Sequence, residues 1–86
     1  MFYCYLLRSK SDSNFYLGST RDLKRRVAEH NEGKVPSTKS RRPLELIYYE
    51  AYKVESDARN REHNLKLRAN ALSQLKRRIK ESLKAD

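Results

Sequence analysis

The sequence has a single cysteine, two glycines, two prolines and no tryptophan among its 86 residues. Because Cys4 has no second cysteine to pair with, no intramolecular disulfide can form, and nothing indicates a secreted, cross-linked fold. No apolar run is long enough to span a bilayer, and no basic stretch precedes the short apolar run at the start. We therefore expect neither a transmembrane helix nor a signal peptide, and a cytoplasmic location is the default expectation.

Acidic residues are also few, since 11 Asp and Glu face 20 Lys and Arg and leave a formal charge of +9. Nucleic acid is the partner that such a balance favours. A membrane surface is a weaker option, because the basic C-terminal segment lacks the aromatic anchors of an interfacial helix. We expect residues 1–86 to form one domain without a separate recognition domain, so that selectivity comes from this domain or from a protein partner.

Apolar and aromatic runs separated by turn signals predict three strands. The polar segment between the first two runs predicts an antiparallel hairpin. The third run is apolar on both faces, and we therefore expect it to lie at the centre of the sheet. The predicted strands cover residues 2–8, 15–18 and 44–52.

Helical spacing and capping signals predict three helices in the order β-β-α-β-α-α. Ser19 or Thr20 is expected to cap the first helix, and Gly33 to end it. A three-stranded sheet flanked by helices is the packing that this order favours, which is an α/β fold of the α+β kind. We expect a core at about residues 2–68 and a basic C-terminal helix at about residues 70–85.

Two aromatic triplets resemble the halves of the GIY-YIG signature. They read YCY at residues 3–5 and YLG at residues 16–18. The first half is degenerate, with tyrosine and cysteine at its first two positions. Its final tyrosine is kept as Tyr5, eleven residues before Tyr16 of the second half. Either triplet alone is a weak signal.

Three further residues strengthen the resemblance. Arg26 lies ten residues after Tyr16, where the family carries its essential arginine, and His30 follows where many members carry a histidine. Glu62 lies in a segment, ARNREHNLK, that resembles the helix bearing the family's metal-binding glutamate. The sequence therefore resembles the GIY-YIG nucleases over about residues 2–68, and most of all their short bacterial members. Larger relatives include an excision-repair endonuclease, through its catalytic domain, and group I intron homing endonucleases.

The resemblance implies a metal-dependent endonuclease acting on DNA, with Tyr5, Tyr16, Arg26, His30 and Glu62 as catalytic residues. It further implies one Mg²⁺ or Mn²⁺ ion on Glu62. The chemistry fits, because a guanidinium offers rigid donors to phosphate oxygens and Mg²⁺ prefers oxygen ligands. One tyrosine would take a proton from water while the other orients, and the sequence leaves open which does which. Since a chain this short cannot read an extended site, structured or branched DNA is the favoured substrate.

Simpler structural roles compete with each catalytic one. The two tyrosines could be core aromatics, His30 could compensate a helix dipole, and Glu62 could form an ordinary helix ion pair with Lys66. The chain also reads LRANAL after Glu62, where short members carry a Gly-Arg-aromatic element. An inert nucleic-acid-binding module, or a protein that needs a partner for activity, therefore remains an alternative. The residues expected to contact phosphates are Arg21, Lys24, Arg25, Lys39, Arg41, Arg42 and Lys66.

Overall fold

The computed structural model describes residues 1–85, so Asp86, the last residue of the predicted domain, lies outside the described residues. The fold is α+β, as predicted, and the order β-β-α-β-α-α is confirmed, with one additional short helix at the end. The elements are β1 (Phe2–Ser9), β2 (Phe15–Thr20), α1 (Leu23–Asn31), β3 (Leu44–Tyr52), α2 (Glu55–Leu67), α3 (Ala69–Arg78) and α4 (Lys80–Lys84). A short 3₁₀ turn, Lys39–Arg41, interrupts the predicted basic loop. Among the helices of residues 1–85, none is both long enough and apolar enough to cross a membrane.

The three strands form one antiparallel sheet in the order β2-β1-β3. The expectation that the third strand is central is therefore wrong, since β3 forms an outer edge and β1 lies in the middle. The physical reason is that helices cover both faces of the sheet only at β1, where residues Cys4 to Leu7 are all buried. On β3, Tyr48 packs against the core while Tyr49 keeps 51% of its surface exposed.

Helices cover the two faces of the sheet unequally. One face buries Cys4, Leu6 and Leu17 against α2 and α3. The opposite face carries Tyr5 and Leu7, which pack against the apolar side of α1. The outer edge of β2 therefore runs between α1 on one side and α2 on the other, and this edge positions the candidate site.

The first helix begins later than predicted. Asp22 is its N-cap, and its side chain accepts a hydrogen bond from the backbone N–H of Arg25 at 3.1 Å. Ser19 and Thr20 instead complete β2, and the Thr20 hydroxyl accepts from the backbone N–H of Asp22 at 3.1 Å. The predicted caps were wrong because the ladder to β1 continues through Thr20, which leaves the capping position to the next acidic residue.

The predicted C-terminal helix is divided into α3 and α4. Ile79 separates them with φ −112° and ψ 26°, outside the helical range. Its side chain packs against the main core. The break turns α4 back toward the sheet, where Arg8 donates to the carbonyl of Leu83 at 2.7 Å.

Candidate active site

Tyr5 is held in the middle of the sheet with its ring over Gly18. The two residues are partners across β1 and β2, and a Cβ atom at Gly18 would collide with the phenol. Glycine is thus required here for the close approach of the ring to the backbone. Tyr5 is 1% exposed, and its hydroxyl lies 2.9 Å from Nε2 of His30.

His30 is a fully buried side chain with a partner at each ring nitrogen. Its Nδ1 lies 2.7 Å from Oγ1 of Thr38, opposite the bond to Tyr5. Burial lowers the pKa of His30, and the nearby Arg26 charge lowers it further. The imidazole is therefore neutral at physiological pH, and its two bonds fix the orientation of the Tyr5 hydroxyl.

Arg26 joins the same cluster from the adjacent turn of α1. It donates to Oε1 of Glu29 at 3.1 Å, and its positive charge acts on the nearby Tyr5 phenol. Burial alone would lower the pKa of Arg26, but the adjacent Tyr5 phenol and Glu29 carboxylate raise it above its ordinary value. Burial raises the pKa of Tyr5 to about 12, despite the opposing effect of Arg26, so this phenol stays protonated at neutral pH.

Tyr16 lies on β2 opposite Leu7, two residues along β1 from Tyr5, and is only half-buried. Its ring stands edge-on to His30, with centroids 5.0 Å apart and an interplanar angle of 65°. Nζ of Lys66, from α2, lies 6.0 Å from the Tyr16 ring centroid. Tyr16 therefore connects the α1 side of the site with the α2 side.

Glu62 is linked to Tyr16 by Lys66, which contacts both side chains. Its Oε2 accepts from the Lys66 ammonium at 2.6 Å, and the carboxylate side chain is 20% exposed. Burial is the main cause of the raised Tyr5 pKa, and the Glu62 charge is among the smaller causes that act in the same direction. The structure thus places all five predicted catalytic residues in one connected cluster along the edge of β2.

The chemistry of Glu62 fits a divalent ion. Within residues 1–85, no three His, Cys, Asp or Glu side chains are grouped as a metal centre. Mg²⁺ does not need such a group, because it often binds through one carboxylate and completes its shell with water and phosphate oxygens. Lys66 pairs with the same carboxylate from one helical turn away, so a divalent ion would have to compete with this ammonium.

The predicted phosphate-contacting residues do not form one patch. Arg21 and Arg25 lie with Arg26 around a cleft at the far end of β2, and Lys24 is exposed on α1. Arg41 lies at the opposite end of the strand, where it pairs with Asp12 at 2.8 Å and is 22% exposed. Arg42 donates to the carbonyl of Lys39 at 2.8 Å, so two of the three loop cations already have partners within the fold.

Two partners of the site were missed by the sequence reasoning. Glu29 lies three residues after Arg26, and this helical spacing was a signal that could have identified it. Thr38 lies in an irregular loop, and no sequence pattern indicated its contact with His30.

Comparison with known proteins gives the site a family context. The model of the GIY-YIG catalytic domain matches residues 1–78. A UPF0213 protein of Staphylococcus saprophyticus is 37% identical over 65 residues, covering 74% of this chain and 78% of that protein. A UPF0213 protein of Haloquadratum walsbyi is 40% identical over 65 residues, covering 74% of this chain and 72% of that protein.

A solved structure agrees with these relatives. The solution NMR structure of the UPF0213 protein BH0048 from Bacillus halodurans has a TM-score of 0.54 and 33% sequence identity. It covers 87% of this chain and 82% of its own. With a family match over nearly all of its length, the chain belongs to the GIY-YIG family, a nuclease-type fold.

Proposed function

We propose that this chain is a divalent-metal-dependent endonuclease that hydrolyses phosphodiester bonds in structured or branched DNA. The family supports a nuclease fold and a nucleic-acid substrate in general. The observation that carries the finer proposal is the connected cluster at the edge of β2, where Glu62, Lys66, Tyr16, His30 and Tyr5 follow one another in contact. Its parts come from both faces of the sheet, which a purely structural arrangement does not require.

In this account Arg26 binds the non-bridging oxygens of the scissile phosphate. Its guanidinium has five donors, of which the hydrogen bond to Glu29 occupies only one. Glu62 would hold Mg²⁺ or Mn²⁺, and the ion would supply positive charge at the phosphoryl group and at the leaving oxygen. The scissile bond therefore lies between α1 and α2, across the edge of β2.

The two tyrosines take different roles because their surroundings differ. Tyr5 is buried and protonated, so it donates a hydrogen bond and orients the reacting groups. Tyr16 is half-buried at the outer strand, where the attacking water can reach it. As the phenolate, Tyr16 would take the proton from that water and become the neutral phenol. His30 is a positioning residue, since its two bonds to Tyr5 and Thr38 leave no ring nitrogen for the substrate.

The scale of the molecule supports a substrate recognised by shape. The Cα extents are 28 × 26 × 21 Å, which leaves little surface for reading a long specific sequence. Branched DNA in repair is the setting we propose, with a protein partner supplying any further selectivity. A single domain over residues 1–86 and a cytoplasmic location belong to the same proposal.

The direct test is cleavage of a panel of forked, branched and linear DNAs with Mg²⁺. Arg26→Ala and Glu62→Ala should abolish cleavage while circular dichroism shows an intact fold. Arg77→Ala is the matched control, because Arg77 is an exposed arginine of α3 outside the cluster. If both site variants cut as fast as the parent, the proposal is wrong.

A catalytically inert binding module is the second candidate. It is favoured by the fact that Arg26 and Glu62 each have a neighbouring partner of opposite charge, Glu29 and Lys66. Titration of Mg²⁺ at high protein concentration separates the two functions. Metal-dependent product supports the nuclease, whereas DNA binding without product supports the inert module.

A further inference from the structure

A cleft opens beside Arg26 where β2 ends and where α1 and α2 begin. Its floor includes Ser19 and Thr20, and charged side chains form its walls. Four of these are arginines and two are glutamates, which leaves an excess of two positive formal charges in a concave site. The charged residues are Arg21, Arg25, Arg26, Arg59, Glu29 and Glu55.

Two of the three ion pairs within the cleft have strongly exposed arginines, whereas the third, Arg26 to Glu29 at 3.1 Å, is tighter and less exposed. Arg59 approaches Glu55 at 3.4 Å with 69% of its side chain exposed, and Arg25 approaches Glu29 at 3.9 Å with 64% exposed. The two exposed pairs contribute little to stability, because solvent screens them. The guanidinium groups therefore keep donors free for an incoming anion at small cost to the fold.

The two walls belong to different elements of the fold. Arg21 and Arg25 stand at the start of α1, and Arg59 faces them from the first turns of α2. Converging guanidinium forks suit the several oxygens of a phosphate, which accepts bidentate hydrogen bonds. Because Arg26 borders both the cleft and the Tyr5 phenol, an anion in the cleft lies next to the proposed scissile position.

We propose that this cleft binds a backbone phosphate adjacent to the scissile one on the same strand, with Arg59 as its principal ligand. The inference rests on the proposed function for the position of the scissile phosphate. It adds a binding site on α2 that the sequence analysis did not assign. Glu55 pairs with Arg59, and Glu29 pairs with both Arg25 and Arg26, so a bound phosphate would compete with these carboxylates for the guanidinium donors.

The test measures binding of labelled forked DNA by fluorescence anisotropy, with EDTA present so that no cleavage occurs. Arg59→Ala should weaken binding roughly tenfold, the usual loss for a charge-assisted contact, and should lower the salt slope by about one. Glu55→Gln should strengthen binding, because it frees Arg59. Arg77→Ala removes the same charge outside the cleft and should have a clearly smaller effect.

A scan with single neutral methylphosphonates locates the contact. In the parent protein, a methylphosphonate at one position next to the cleavage site should weaken DNA binding. In Arg59→Ala, a methylphosphonate at that position should cause no further loss of affinity. Equal effects of Arg59→Ala and Arg77→Ala, or additive losses at every position, would overturn the inference. Binding is measured without metal, so this test does not depend on cleavage. If one methylphosphonate position is coupled to Arg59→Ala but the protein never cuts DNA, the phosphate site stands and only the nuclease proposal is refuted.

Discussion

The hydroxyl of Tyr5 lies 2.9 Å from Nε2 of His30, and both side chains are shielded from solvent. The bond links the central strand to α1 at the point where Arg26 also meets the phenol. When the Tyr5 hydroxyl donates to Nε2, the neutral imidazole carries its proton on Nδ1 and donates it to Oγ1 of Thr38. The geometry of this bond underlies the first two predictions.

Stability should fall as the pH drops below the ordinary histidine value. Because burial lowers the pKa of His30 from 6.5, the unfolded chain binds a proton at a higher pH than the folded one. The stability that neutral His30 supplies is therefore fully present above pH 6.5 and is lost as the pH falls toward its folded pKa. Urea unfolding at about pH 7.5 and about pH 5.5 measures the difference.

The other histidine supplies the control for this experiment. His63 is exposed on α2, so His63→Gln should leave the pH dependence unchanged, whereas His30→Gln should flatten it between those two values. The carboxyl groups with lowered pKa, Asp12 and Glu50, titrate below this window. A parent protein equally stable at both pH values would contradict the neutral, buried assignment of His30.

Removing the two tyrosine hydroxyls should have different consequences. Tyr5→Phe leaves His30 without its partner inside the core and should cost about 1 kcal/mol of stability as well as activity. Tyr16→Phe should abolish cleavage with little change in stability, because that hydroxyl is at the half-buried edge. Thermal unfolding and single-turnover cleavage of both variants check this. Faster cleavage by Tyr16→Phe than by Tyr5→Phe would reverse the roles that we assign.

Gly18→Ala should displace the Tyr5 ring and so reduce both stability and cleavage. The added Cβ meets the ring of Tyr5, which is buried and cannot move aside without loss of packing. Overpacking of this kind costs about 1–3 kcal/mol. Gly33→Ala is an informative comparison, because Gly33 has φ +78° and lies outside the cluster, so it should lose stability through backbone strain. At a temperature where both variants are folded, only Gly18→Ala should lose cleavage.

Much of the site was predictable because its residues are held at fixed spacings on regular elements. Tyr5, Tyr16 and Arg26 lie on two paired strands and the next helix, so local sequence distances translate into proximity. The central strand was not predictable. Coverage of both faces depends on where the helices pack, and the apolar pattern of β3 suggested the centre although Tyr49 is exposed.

Contacts made by loops were not predictable for a related reason. Thr38 reaches His30 and Arg41 reaches Asp12 only after the chain has folded around the sheet. No periodic pattern encodes such contacts. The structure shows Arg41 paired with Asp12 in the hairpin between β1 and β2, whereas the phosphate contacts of the loop cations stay a prediction.

Lys66 should compete with a divalent ion for Glu62. The Lys66 ammonium lies 2.6 Å from the Glu62 carboxylate. Lys66→Met should therefore increase the affinity for Mn²⁺ about threefold, which corresponds to the free energy of a partly exposed ion pair. Lys84→Met breaks the pair with Glu81 and should leave the affinity unchanged. Titration calorimetry with Mn²⁺ in the absence of DNA measures both. Weaker binding by Lys66→Met would show that Lys66 supports the ion instead of competing with it.

The central claim is that one ion and one phosphate bind at the edge of β2, between Glu62 and Arg26. A crystal structure of the Tyr16→Phe variant with forked DNA and Mn²⁺, recorded at the manganese absorption edge, measures this directly. The account predicts one anomalous peak on the Glu62 carboxylate, with a backbone phosphate between it and the Arg26 guanidinium. A peak away from Glu62, or DNA bound on another face, would contradict it.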